Sequence, residues 1–178
     1  MQRIKLTRGK YAIVNNRDYS WLIKFNWRAI PSQHWHGLRW YAGTGANTKL
    51  MHRMILLAPK GTQVDHKNMN GLDNRRGNLR LATRGQQRAN SGRSRPGISK
   101  FKGVSWCSRD QHWRAKLEKN GHSYARYSID EETAAHLYNE MALLHFGKYA
   151  RINRGLTKKP LPPWTHKRKG TNGYSPRS

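Results

Sequence analysis

Acidic side chains are scarce in this chain of 178 residues: nine Asp and Glu stand against 35 Lys and Arg, a formal charge of +26 at neutral pH. A chain so positive seeks polyanions, nucleic acid first among them. Ribosomal proteins and membrane-surface binders share that balance, so charge alone does not select DNA. Cysteine is nearly absent, with Cys107 alone, which excludes an intramolecular disulfide partner and any Cys-rich zinc finger. No apolar run approaches the roughly 18 residues a membrane span needs, and no signal-peptide pattern opens the chain. A soluble intracellular protein with no membrane partner is expected.

The length allows one large or two small domains. Residues 1–60 read as a small mixed unit with real apolar content. Tyr11–Val14 suits a strand, Asp18 suits the cap of a short helix through Leu22 and Phe25, and Trp27–Ile30 with Leu38–Ala42 suits a hairpin. Leu50–Leu57, with Thr48 as cap and Pro59 beyond, reads as a helix. His34 and His36 flank Trp35 with no carboxylate or Cys nearby, and solvated loop histidines are expected there.

The stretch 64–90 carries the chemistry. It opens with a short strand ending in Asp65-His66, passes through a polar turn rich in Asn and Gly, enters a second strand around Leu79–Ala82, and continues into a segment that can turn helical. An imidazole titrating near neutrality can take a proton from water, and a carboxylate can hold a divalent ion against a phosphodiester. Asp65 is the only acid directly beside a His. Where phosphates are to be met, an acid is repulsive unless a metal or Arg neutralises it. The plainer reading is that Asp65 and Asp73 serve the turn.

The run Asp65-His66, Asn74, Asn78-Leu79, Leu81-Ala82-Thr83, Gln87 and Asn90 resembles the HNH endonuclease signature of phage and intron-encoded homing enzymes, with its ββα metal finger. The resemblance implies His66 as general base, Asn78 as the brace of the loop that orients it, and Asp65 as metal ligand. The second ligand, an Asn or His in that family, falls by spacing on Gln87, and Asn90, on the same helical face, is the alternative. One divalent ion is implied, magnesium first, with manganese or another in its place. Arg53, just upstream in His52-Arg53, is a candidate phosphate contact or an ordinary helix-surface residue.

Residues 91–100 hold Gly, Ser and Pro with no acid and read as a flexible basic linker. Residues 101–153 read as three short strands, Phe101–Trp106, His112–Lys119 and Ser123–Ser128, with Asn120-Gly121 as a hairpin turn. A helix follows, capped by Asp130, with Leu137, Met141 and Leu144 on one face and Gly147 at its end. In the middle strand Trp113, Ala115 and Leu117 alternate with Arg114, Lys116 and Glu118, so a covered apolar face leaves a basic face free.

Lys102-Gly103-Val104, Trp113-Arg114-Ala115, the helix 132–139 and Phe146 to Asn153 make this unit similar to the Apetala-two/ethylene-response-factor DNA-binding domain. That resemblance implies groove contacts by Lys102, Arg114 and Lys116, with Trp106, Arg109 and Arg126 as further candidates. Ser105 stands where the plant proteins have an Arg, so their target sequence does not carry over. The basic tail 154–178 contains no acid and is expected to be disordered alone.

The expected fold is α+β: a ββα finger (about 62–90) within a mixed nuclease domain (1–90), then a linker and a three-stranded antiparallel sheet with one packed helix (101–153). The expected function is metal-dependent hydrolysis of duplex DNA by a homing-type endonuclease, with nicking of one strand as an option left open, in the cytoplasm of a host cell, as monomer or dimer. Two alternatives stay open, a sequence-specific DNA-binding protein with a decayed nuclease centre and an RNA-binding protein.

Overall fold

The computed structural model describes residues 1–34, 37–93 and 97–157. The histidine pair around Trp35, the middle of the 91–100 linker and the tail beyond 157 therefore lie outside the described side chains.

The chain opens with an antiparallel pair, β1 (Gln2–Lys5) and β2 (Tyr11–Val14), in which Ile4 faces Ala12. β1 went unread in the sequence because its only apolar residue is Ile4, which is buried. α1 (Asn16–Leu22) takes Asn15, not Asp18, as its N-cap residue. The physical reason is Arg76: its backbone N–H donates to Asn15 Oδ1 at 2.8 Å, while its guanidinium pairs with the buried Asp18 carboxylate at 2.8 Å.

β3 (Arg28–His34), β4 (Gly37–Thr44) and the short β5 (Lys49–Leu50) form a three-stranded sheet. α2 (Met51–Ile55) is shorter than the sequence suggested. Leu50 still pairs with Gly43 as strand, and Thr48 and Leu57 both adopt left-handed backbone, so neither the expected cap nor the expected last turn forms.

β6 (Gln63–His66) and β7 (Leu79–Ala82) are antiparallel, setting Asp65 opposite Arg80 and His66 opposite Leu79. α3 (Arg84–Asn90) starts at a capping box in which Thr83 and Gln86 satisfy each other's backbone N–H groups. One core joins these elements, with Leu22, Met51, Ile55 and Val14 among its most buried members.

A second core lies under β8 (Val104–Cys107), β9 (His112–Lys119) and β10 (His122–Ser128), whose spatial order is β10-β9-β8. α4 (Glu131–Phe146) covers them and is capped by Asp130, which accepts from the Thr133 N–H at 2.8 Å. Asn120 and Gly121, both at positive φ, make the tight β9–β10 turn. Gly103 lets α4 approach: a Cβ there would lie 2.1 Å from the Tyr138 ring. Leu137, Tyr138 and Met141 are buried, each burial contributing about 1.5–3 kcal/mol. Leu144, expected beside them, is 76% exposed, while its neighbours His145 and Phe146 make the contacts with the sheet: the His145 ring lies 3.9 Å from that of Tyr124, and Phe146 packs against the core.

The two cores touch through α3, β7 and the 3-10 turn Gly147–Tyr149. Tyr149 Oη donates to the Leu81 carbonyl at 2.9 Å, and the Arg151 N–H donates to the Ala89 carbonyl at 3.1 Å.

Candidate active site and nucleic-acid face

β6 places Asp65 and His66 on opposite sides, and both are buried because both sides are covered. On one side stand α3 and β7. Asn90 Nδ2 donates to Asp65 Oδ1 and to the His66 carbonyl, each at 3.0 Å. Arg80 donates to Asp65 Oδ2 at 2.8 Å through Nε, donates to the Lys148 carbonyl, and lies 4.3 Å over the Tyr149 ring. The carboxylate is thus held by one cation and one amide.

On the other side His66 meets Asn74, His52 and Tyr41. Its Nε2 lies 3.4 Å from Asn74 Oδ1, and the rings of His52 and Tyr41 lie 5.0 and 5.9 Å from its own. Burial holds the His66 pKa below the ordinary histidine value, against the raising pull of Asn74, Asp65 and Asp73. His52 is pushed to about 3, by burial first and then by His66 and Arg53. Both imidazoles are neutral at physiological pH. His52 Nδ1 is buried with no hydrogen-bond partner. Sequence reasoning gave roles to neither His52 nor Asn74; the only signal was their place near the motif.

The turn between β6 and β7 is woven from amides. Asn78 Oδ1 accepts from the Asn68 N–H at 3.1 Å, and its Nδ2 donates to Asn68 Oδ1 at 3.0 Å and to the Asp73 carbonyl at 2.8 Å. Asp73 pairs with Arg75 at 2.7 Å, which holds its carboxyl below the usual range.

The sequence-nominated residues separate clearly. Asp65, His66 and Asn90 come together, with Asn78 in the adjoining turn. Gln87 is exposed, and among the described hydrogen bonds its side chain makes none. Arg53 is half-buried, its guanidinium donating to the carbonyls of Ala58, Pro59 and Thr62, so it ties down the loop after α2.

In the C-terminal sheet, Arg114 is exposed and Lys116 half-exposed, on the face away from α4, where Lys116 pairs with Glu118 at 2.9 Å. Arg109 lies in the exposed β8–β9 turn beside Asp110. Arg126 instead pairs across from Ala115, and its guanidinium reaches Glu140 of α4 at 2.8 Å, which puts it on the helix side. Trp106 packs edge-on to Trp113 at 5.1 Å, also on the Ala115 side. Lys102 Nζ donates to the Ala89 carbonyl, and burial pushes its pKa to about 8. Cys107, Asp110 and His112 bring their ligand atoms within 4.8 Å of one another at the end of β8, on the other sheet from Asp65. No helix among the described residues is long and apolar enough to cross a membrane.

At the end of β6 a buried Asp-His dipeptide is thus closed in by asparagine amides and followed by a short capped helix. A family model described as HNH endonuclease matches residues 57–89. The chain is 31% identical over 150 residues, 83% of its own length and 76% of the relative's, to an uncharacterized HNH endonuclease of Acanthamoeba polyphaga mimivirus. It is 33% identical over 95 residues, 53% of its length and 78% of the relative's, to Protein 3.8 of Escherichia phage T7. No solved structure matches it. The chain belongs to the HNH endonuclease family.

Proposed function

We propose that this protein is a metal-dependent, homing-type endonuclease that hydrolyses phosphodiester bonds of duplex DNA, the 62–90 segment acting as a ββα finger. The observation that carries this reading is the convergence of Asn74 and Asn90 on adjacent Asp65 and His66. With Nε2–H donated to Asn74 Oδ1, the lone pair of His66 sits on Nδ1, and a neutral imidazole is ready to accept a proton at pH 7. Water loses its proton to that nitrogen as its oxygen attacks phosphorus; the P–O3′ bond breaks, the departing O3′ takes a proton from solvent water, and 5′-phosphate and 3′-hydroxyl ends result. Asn78 keeps the turn, and so the ring, in place.

Asp65 and Asn90 carry the hard oxygen donors that magnesium or manganese takes, and the two groups already lie 3.0 Å apart. Turning the Asn90 amide about its last bond presents Oδ1 in place of Nδ2, so this pair fits such an ion better than the exposed Gln87. When bound, the ion neutralises charge on the phosphate and the leaving oxygen.

Residues 101–153 act as an Apetala-two-like DNA-binding domain. Its exposed face, with Arg114 and Lys116, reads the groove and Arg109 contacts its edge, while Trp106 and Arg126 serve the fold. A monomer would nick one strand and a dimer would cut both.

The test is cleavage of supercoiled and phage-derived duplex DNA by wild type and His66→Ala, with magnesium, manganese or chelator. Metal-dependent cutting that disappears in the variant is expected. One observation favours a second reading, a DNA-binding protein with a decayed nuclease centre: both Asp65 oxygens are engaged, one of them by Arg80. Tight binding without cutting in any metal would select it.

A further inference from the structure

Between the two cores runs an open groove of about 1040 Å³, and its lining has no acid. Nine of its 19 lining residues are Lys or Arg. One wall comes from the nuclease side, with Lys67, Asn78, Arg80 and Asn90; the other comes from the end of the C-terminal unit, with Lys148, Arg151 and Arg154. Asn90 and Arg80 are the two groups bonded to the Asp65 carboxylate, so the groove runs alongside that buried carboxylate and the carbonyl of His66, whose ring faces the other side of β6.

These cations are not mutually compensated. Arg80 alone of the nine pairs with a carboxylate among the described ion pairs. Lys67 donates to the Gly77 carbonyl and Arg93 to the Ser99 carbonyl, interactions that hold the side chains without cancelling their charge. Arg151 helps to depress the Lys102 pKa, second to burial, as two cations held close in one groove must. Like charges gathered this way raise the energy of the empty groove and reward a polyanion that enters it.

We infer that this groove is a binding site for the sugar-phosphate backbone of DNA, and that Lys148, Arg151 and Arg154 of the C-terminal unit hold the strand being cut. The substrate assignment rests on the nuclease reading above. Two separate jobs then fall to the C-terminal unit: the outer face of its sheet meets base edges, and the segment after α4 completes the channel at the nuclease centre. The contacts of Tyr149 with Leu81 and of Arg151 with Ala89 keep that segment beside β7 and α3.

The test measures DNA binding in chelator, where no cutting is needed, so its failure is separable from failure of the nuclease reading. Fluorescence anisotropy with a labelled duplex is followed across a salt series for wild type and for Lys148→Gln/Arg151→Gln/Arg154→Gln. A control variant, Lys5→Gln/Lys24→Gln/Lys60→Gln, removes the same charge elsewhere.

The groove variant is expected to lower the slope of log affinity against log salt by about 2–3, near 0.9 per lost phosphate contact, and to weaken binding at least tenfold at physiological salt. The control is expected to change the slope by less than about 1. Preference for one duplex sequence over another is expected to survive in the groove variant, because phosphates carry no sequence information. Circular dichroism checks folding; should the triple variant unfold, Lys148→Gln/Arg154→Gln, both exposed, is expected to lower the slope by about 2. Equal losses in groove and control variants would overturn the inference, since net charge would then explain both. Loss confined to duplex RNA would overturn it as well.

Discussion

The two ends of this molecule handle charge in opposite ways. Around β6 the buried carboxylates are each matched: Asp65 to Arg80 and Asn90, Asp18 to Arg76, Asp73 to Arg75. On the outer face of β9 the cations stand in solvent beside a single Glu. Chemistry on a phosphate needs a proton acceptor held in one protonation state and one orientation, which burial and amide contacts supply. Recognition of a polyelectrolyte needs charge that water and counterions leave readily, which exposure supplies. Changes on the two sides should therefore differ in kind: one set alters turnover and stability, the other affinity and discrimination.

The largest effect expected is on turnover. His66→Ala should reduce plasmid nicking by about a thousandfold, the scale of lost general-base catalysis, while DNA affinity in chelator changes less than about twofold. Comparable loss of binding would erase the distinction between the two regions.

Acid should reveal the same contrast. His52 and His66 have folded pKa values below the unfolded one, so the unfolded chain binds the extra protons, and stability declines as pH falls below about 6.5. Each neutral histidine contributes a slope of up to about 1.4 kcal/mol per pH unit. Urea midpoints at pH 7 and pH 5 should differ accordingly, and His52→Phe should flatten the dependence. A flat profile in wild type would mean that these imidazoles are not buried neutral.

Asn74 is fully buried and faces both His66 Nε2 and the Gly71 carbonyl. Asn74→Ala should cost about 1–3 kcal/mol in urea denaturation, the penalty of stranding buried polar partners. Arg114→Ala on the exposed sheet should instead leave stability within about 0.5 kcal/mol. Its expected cost is about 1–3 kcal/mol of discrimination between duplex sequences, read by competition binding. The smallest effect belongs to Arg126→Ala, which removes an exposed pair with Glu140 and should shift stability by less than about 1 kcal/mol. If its loss relaxed sequence preference as strongly as Arg114→Ala, the helix-side position of Arg126 would not keep it from DNA.

Much of this was legible in local chemistry. Asp65-His66 at a strand end, the Asn120-Gly121 turn, the Asp130 cap and the alternation along β9 each follow from neighbours a few residues away. The misses share a cause. Asp18 was read as a cap from its own propensity, yet Arg76, distant in sequence, claims its carboxylate. Leu144 fits the helical stripe but is exposed, because His145 and Phe146 take the contacts with the sheet in the last turn of α4. The choice between Gln87 and Asn90, by contrast, stayed open in the sequence: the two lie about 60° apart around the axis of α3, and a seven-residue helix can present either. The packing of α3 against β6 and the C-terminal turn brings Asn90 to Asp65 and leaves Gln87 exposed.

Residue order alone settles the charge excess, the reach for polyanions and the adjacency of a carboxylate to an imidazole, because these are properties of composition and of neighbouring positions. Tertiary structure decides which groups stand beside that pair. Arg80 and Asn90 reach Asp65, Asn74 and His52 reach His66, and two separated stretches of basic chain become the walls of one groove. Those encounters depend on how distant segments pack, where burial sets the protonation state and loop closure sets the neighbours.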